Sequence, residues 1–212
     1  MVNIVFPPGP IETSMRSVLL AVDEAPPDVV HAIRMATIEH AEALARQSMG
    51  PAAKLITRAL IPTDLGLANA RWTETTGTAA NAYATTSISA STIADDTYIG
   101  IWGVRLFSPG TTIDNDASLA AMEQQQFPIS VLRIIVGGAR VIQWDLYPLL
   151  TMQIDLAESS AFRPRAGIAL TPVTIGPNKV LQIDEYCLVA SAIYSLAFEG
   201  VVVEPEGTTL RP

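Results

Sequence analysis

From residue 127 to residue 205 the chain alternates apolar and polar positions with the period of two that a half-buried strand requires. Leu132, Ile134 and Val136 fall on one face and Arg133 on the other. Gly137-Gly138 supplies the reversal, and Ile142 and Trp144 return on one face over residues 140–145. The pattern predicts a hairpin over 128–145. Further strands are expected at 149–156, at 167–170 (ended by Pro172), at 179–186 after the turn Ile175-Gly176-Pro177-Asn178, and at 192–203. In the last of these, Ala192, Tyr194, Leu196 and Phe198 alternate with Ile193, Ser195, Ala197 and Glu199. Both sets are largely apolar, which predicts a central strand covered on each side.

Upstream, residues 71–76, 83–88 and 97–107 read as strands, the last through Ile99, Ile101, Trp102, Val104 and Leu106. Gly100 and Gly103 within it point to a bulge or to the close approach of another backbone. Ser108-Pro109-Gly110 is a turn, and residues 118–126 suit one or two helical turns in a long crossing loop. Residues 52–61 fit a short helix or a first strand equally well. About eight strands joined by long connections predict a mainly β fold, a jelly-roll or Greek-key β-sandwich rather than an up-and-down barrel.

One segment carries a helical pattern. Asp28 is a good N-cap, the run to Met49 holds no Pro or Gly, and Gly50-Pro51 is a stop. Val30, Ile33, Ala41 and Leu44 fall near one face, with Arg34, Glu42 and Arg46 on the other; Glu42 and Arg46 stand i,i+4 in the favourable order. Ala36, Ala41, Ala43 and Ala45 permit close packing. Ahead of the helix, Pro7, Pro8 and Pro10 and then Pro26-Pro27 bracket an extended arm, in which residues 18–22 can add a strand to a sheet. The organisation expected is an arm plus helix over 1–60, a β-sandwich over 61–205 and a short tail at 206–212.

Composition adds a constraint. Apolar residues make up 49% and charged residues only 16% of the chain, against about 25% charged in an average soluble domain. Either Thr, Ser, Gln and Asn cover a monomer, or part of the surface is covered by other subunits. The net charge is −8, and residues 1–60 hold five basic side chains (Arg16, Arg34, Arg46, Lys54, Arg58) against six acids. That lacks the clustered Lys and Arg a nucleic-acid surface needs, and no terminal arm is basic. Cys187 is the only cysteine, so no disulfide forms within the chain; beside Leu188 and Val189 it is expected to pack as a small apolar side chain. No signal peptide is predicted, and the apolar run 187–198 is shorter than the roughly 20 residues a bilayer span needs. A soluble protein made in the cytoplasm is expected.

The candidate chemistry is thin. Asp114-Asn115-Asp116 opens like a calcium loop, but Ser118 and Leu119 stand where that loop wants an acid or amide and then Gly, so a solvated turn is expected. Asp95-Asp96 reads as turn chemistry. Asp184-Glu185 at a strand end, Asp145, Asp155 and Glu158 offer carboxylates, and glycoside hydrolysis would need two of them to converge. No G-x-S-x-G, H-E-x-x-H, phosphate-loop or G-x-G-x-x-G pattern occurs. His31 and His40 lie nine residues apart on the helix, about 180° around it, and cannot share a metal. With no histidine after residue 40, the chain reads as not an enzyme, with no catalytic, metal or cofactor site. Arg163-Pro164-Arg165 is a loop able to grip a phosphate or a partner's acid. Trp72, Trp102 and Trp144 lie in strands and are expected in the core; exposed indoles would instead stack on sugars.

The run Phe162-Arg163-Pro164, Gly167-Ile168-Ala169-Leu170, Pro172-Val173-Thr174-Ile175-Gly176-Pro177-Asn178, Leu181-Gln182-Ile183-Asp184, Tyr194-Ser195-Leu196 and Phe198-Glu199-Gly200, with the 132–143 hairpin, resembles the closing strands of viral single jelly-roll coat proteins of tailless icosahedral viruses. The likeness covers about residues 125–205 and is one of turns and strands, with no diagnostic motif. It implies a structural virion protein, a capsid subunit of an icosahedral shell (a bacteriophage's, for example), made in the host cytoplasm and resident in the virion. Its partners would be copies of itself and other virion proteins, with an internal viral membrane beneath. Many such proteins bind the genome through a basic arm, which this chain lacks, so direct nucleic-acid binding is not expected. The alternative is a carbohydrate- or receptor-binding β-sandwich module.

Overall fold

Eleven strands and one helix organise the computed structural model, which describes residues 14–22, 25–67, 72–107, 128–146, 149 and 166–207. In chain order they are β1 (Ser14–Ala21), α1 (Pro27–Met49), β2 (Leu55–Ala59), β3 (Trp72–Thr75), β4 (Ala82–Thr85), β5 (Ser91–Thr92), β6 (Tyr98–Phe107), β7 (Ile129–Val136), β8 (Arg140–Asp145), β9 (Ala166–Ile175), β10 (Val180–Cys187) and β11 (Ile193–Pro205). A 3-10 turn, Pro62–Leu65, follows β2.

The protein is mainly β, two antiparallel sheets and one helix. The first sheet runs β8–β7–β10–β4, with β5 also on β10; the second runs β9–β6–β11–β2, with β3 also on β11. β1 joins them along one side. Its residues 14–18 pair parallel with β8 and its residues 19–21 antiparallel with β9. The antiparallel partners are nested: β7 with β8, outside them β6 with β9, then β4 and β5 with β10, and outermost β2 and β3 with β11. Successive nested pairs alternate between the two sheets.

The core lies between the sheets because the period of two sends one side of each strand inward. Leu132, Ile134, Ile142, Trp144, Leu181 and Ile183 come from the first sheet, and Ile99, Ile101, Val104, Val173, Leu196 and Val202 from the second; all are fully buried. Aromatic rings run through this layer. Trp72 stacks on Phe198 at 5.4 Å and meets Tyr194 edge-on at 5.9 Å, while Trp144 lies 6.4 Å from Phe198. Both indole N–H groups are satisfied, that of Trp72 by Ser87 Oγ (3.1 Å) and that of Trp144 by the Thr171 carbonyl (3.4 Å).

The outer side of the second sheet is covered by α1, which packs on β6, β9 and β11. Val30, Thr37, Ala41 and Ala45 form its buried stripe, and Thr37 spends its hydroxyl on the Ile33 carbonyl (2.7 Å). The small stripe lets helix and sheet approach closely. A Cβ on Gly100 would lie 2.8 Å from Thr37 Cγ2. Within the sheet, a Cβ on Gly103 would lie 2.1 Å from the Gly167 carbonyl oxygen, and one on Gly200 2.2 Å from that of Gly100. Register shifts fall at these glycines, between Ile101 and Gly103 and between Glu199 and Gly200. The bulge and close approach expected at Gly100 and Gly103 are both present.

Several sequence expectations are met. β11 is central with both faces covered, and the β7–β8 hairpin turns through Gly137 and Gly138 at φ 63° and 72°. Others need correction. α1 begins at Pro27 rather than after an Asp28 cap, since proline's fixed φ suits the first helical position and leaves Asp28 in the first turn beside the helix dipole. β9 continues past Pro172 to Ile175; the proline is tolerated because the ladder with β6 skips from Ile168 to Val173 there. Among the described residues eleven strands occur, where about eight were expected for the sandwich, the ambiguous 52–61 segment being strand β2 followed by the 3-10 turn. Leu149, expected to open a strand, is helical and bonds back to Leu146 (2.9 Å). The prolines at 7–10, the 108–110 turn, the 118–126 helical turns, residues 150–156 and the tail beyond 207 lie outside the described residues.

Replacing Gly200 by Ala forces β11 and β6 apart at a backbone contact, and overpacking of this kind costs about 1–3 kcal/mol. Gly176→Ala, whose added carbon would meet nothing nearer than Tyr98 Cε1 at 4.0 Å, is expected to change stability far less. Urea denaturation of the two variants measures the difference.

Candidate functional site

The polar feature that most departs from a plain sandwich core is a cluster on β10 and β11. Parity along β10 turns Leu181, Ile183, Glu185 and Cys187 to the inside and Gln182, Asp184 and Tyr186 to the outside. Glu185 is therefore buried, at 1% exposure, in the layer between the sheets. Tyr194, reaching from the other sheet, donates its hydroxyl to Glu185 Oε2 in a short bond. The Cys187 thiol donates to Oε1 at 3.4 Å, and the Gly77 N–H donates to that thiol's sulfur at 3.3 Å. Each carboxylate oxygen thus has a neutral donor, and no cation pairs with Glu185 among the described residues.

Burial dominates the electrostatics. Desolvation pushes the Glu185 carboxyl above its ordinary value, the bonds from Tyr194 and Cys187 pull it partly back, and the negative charge of Glu74 adds to the rise. Desolvation likewise raises the Tyr194 phenol and lifts the Cys187 thiol to about 11, with Glu185's charge contributing to both. A thiol raised that far is a poor nucleophile. The cluster links the two sheets at one end, through the Tyr194–Glu185 bond.

The other sequence candidates scatter. Asp184 faces outward, where its Oδ1 accepts from Gln182 Nε2 at 2.8 Å, so Asp184 and Glu185 lie on opposite sides of the sheet and inside β10 rather than at its end. Asp145 is exposed at the end of β8, two strands away. Asp95 and Asp96 form a turn, Asp96 with φ 57°. His31 and His40 are both exposed on α1. Asp114, Asn115, Asp116, Asp155, Glu158 and the Arg163-Pro164-Arg165 loop lie outside the described residues. An apolar recess of about 180 Å3 beside the 3-10 turn is lined by Leu60, Ile61, Pro62, Leu65, Leu67, Trp72, Ala197 and Phe198, so no acid enters it. Among the described residues no group of three or more potential metal ligands occurs, and no helix is long and apolar enough to cross a membrane.

Two of the three tryptophans are core residues, Trp72 at 1% and Trp144 at 0% exposure. Trp102 is half-buried outside the main core, between α1 and the sheet, with the Arg34 guanidinium 5.9 Å from its ring centre. Arg34, expected on the solvent side of the helix, turns to the sheet instead because Glu199 attracts it (3.6 Å). Arg105 bonds the same carboxylate, at 3.0 Å through Nε. On the outer face of the first sheet, Arg133 lies 3.8 Å over the Tyr83 ring, which meets Tyr186 edge-on at 5.1 Å. Sequence reading did not single out Glu185 with Tyr194, although strand parity from Leu181 and Ile183 places Glu185 inside.

No family model matches the chain, and a search of curated proteins finds no match.

A carboxyl whose folded pKa is raised contributes stability that is complete below the ordinary glutamate value and is lost as pH rises through the folded one. Stability in urea is therefore expected to fall with rising pH through this window, and Glu185→Gln to flatten the profile. Tyr194→Phe, which leaves Glu185 Oε2 without its donor, is expected to cost about 1–3 kcal/mol.

Proposed function

We propose that the sandwich is a jelly roll and that the protein is a structural shell subunit, a rigid tile assembling with copies of itself and companion proteins into a virion. The observation that carries the reading is the nested pairing. A long antiparallel double ribbon, wound so that successive pairs fall alternately in two facing sheets, gives the order β2/β3–β11–β6–β9 opposite β4/β5–β10–β7–β8. Such winding supports reading the sandwich as a jelly roll of two interlocked Greek keys, an architecture used by viral capsid domains and also by lectins and cupins. The step from winding to shell is an analogy of fold. It is supported by the turn-and-strand likeness of residues 125–205 to coat proteins, and by a chain low in charged residues.

Exposed apolar side chains favour contacts with neighbours. Ile193 (56%), Leu170 (52%) and Ile61 (43%) stand out from the sheets and turns. The net charge of −8 keeps free subunits soluble, while the low charge density reduces the desolvation opposing assembly. The carbohydrate-binding alternative required exposed Trp102 or Trp144. It loses its main support because Trp144 is fully buried and Trp102 packs under Arg34.

Light scattering and electron microscopy of the purified protein test the proposal. Closed particles or large symmetric oligomers are expected. A strictly monomeric species at high concentration, with no assembly on adding salt, would sink it.

A further inference from the structure

β2 is the outermost strand of the second sheet, and its pairing with β11 fixes which of its backbone groups remain open. The Leu60 N–H donates to the Gly200 carbonyl at 3.0 Å and the Glu206 N–H to the Lys54 carbonyl at 2.9 Å, so even-numbered residues bond inward to β11. In an antiparallel ladder the odd-numbered residues then turn N–H and C=O to the other side. Leu55, Thr57 and Ala59 therefore present their backbone groups along the free edge. Among the described residues only the Ala59 carbonyl has a further contact there, a long bond from Arg58 (3.3 Å).

Sheet edges are usually protected by lysine, proline, a bulge or a covering element. Among the described residues, Leu55-Ile56-Thr57-Arg58-Ala59 has none of these: its pairing is regular, and Ile56, Thr57 and Ala59 are exposed. Its single charge, Arg58, is held by Asp64 at 2.7 Å and Glu204 at 3.1 Å. The open groups are also self-complementary. The three odd residues are spaced evenly about Thr57, so a two-fold axis there sets Thr57 against its own copy and Leu55 against Ala59. All three become hydrogen-bonded pairs with no group left over, as a two-fold contact requires. Glu42, which accepts from Thr57 Oγ1 at 2.9 Å, and Arg46, 4.0 Å from Glu42, flank the axis on the helix side. Each copy brings one acid and one base to it.

We propose that two copies of this chain join by antiparallel pairing of β2 about Thr57, fusing their second sheets into one continuous sheet. The contact rests on the reading that copies of the chain associate, and it names the surface they use. The test combines backbone blocking with cross-linking. Thr57→Pro removes an edge N–H that makes no bond to β11, and Thr57→Val keeps that N–H. Thr57→Cys, with Cys187→Ala, is treated with a short bifunctional thiol reagent; Thr85→Cys, exposed on β4, is its control. Thr57→Cys is expected to give a covalent dimer and Thr85→Cys none. Thr57→Pro is expected to weaken association roughly tenfold or more, because each copy loses a bond of the central pair, while Thr57→Val leaves it near the parent value. Should Thr57→Pro misfold, the cross-link decides alone. Association undiminished by Thr57→Pro, with no Thr57→Cys dimer, overturns the contact but leaves the shell reading standing. Parent protein that never associates overturns both.

Discussion

A strand with apolar side chains on both faces cannot leave either face in water, and β11 is such a strand. Leu196, Phe198 and Val202 point into the inter-sheet layer while Val203 packs under α1 with Tyr98 and Ala45. Burying a side chain of this size is worth about 1.5–3 kcal/mol, so both covers are needed. The first sheet supplies one and the helix the other. The rest of the second sheet accommodates these two covers. Small residues line the helix stripe, Gly100 lets Thr37 come close, and Gly103 and Gly200 let strand backbones meet where the register shifts.

Much of this was legible in the sequence, and for a physical reason. Where one face of a strand is wet, as in β7 and β8, the period of two is clean, and Gly137-Gly138 announces the reversal. The double apolar face of residues 192–203 marked the central strand, and two glycines in β6 marked the irregularity. What the sequence hid were pairings and end effects. Nothing local tells that the first half of β1 pairs parallel with β8 while the second half pairs antiparallel with β9. Pro172 looks like a stop because its missing N–H is visible in sequence, whereas the gap in the ladder that accommodates it is not. Asp28 looked like a cap because its side chain suits one, but Pro27 ahead of it already fixes the helical φ.

The candidate site was less legible. Glu185 beside Asp184 resembles an ordinary acidic strand end, and only the parity shared with Leu181 and Ile183 shows that the two carboxyls diverge. Tyr194 and Gly77, which complete its surroundings with Cys187, come from other parts of the chain, and long-range partners leave no local pattern. Arg34 was misread for the same reason, since its acid, Glu199, is remote in sequence and adjacent only through the β11–α1 contact.

The way the cations are used bears on how such molecules can meet. Arg58 is taken up by Asp64 and Glu204, Arg34 and Arg105 by Glu199, Arg46 by Glu42, and Lys54 by Glu206. Arg133 sits on Tyr83, and Arg140 reaches the Thr174 carbonyl at 3.4 Å. Positive charge among the described residues is thus largely engaged within the molecule, on a chain that is net acidic. Among the described residues little basic surface is then left to attract another copy, and at a distance the net negative charges of two such chains repel within the screening length. In the proposed assembly, cohesion between copies would come from groups that do not depend on opposite charge, namely open backbone at a sheet edge and exposed apolar side chains such as Ile193 and Leu170. Backbone pairing of strands acts only at short range and in one geometry, so in the proposed assembly it would favour regular arrays over disordered clusters.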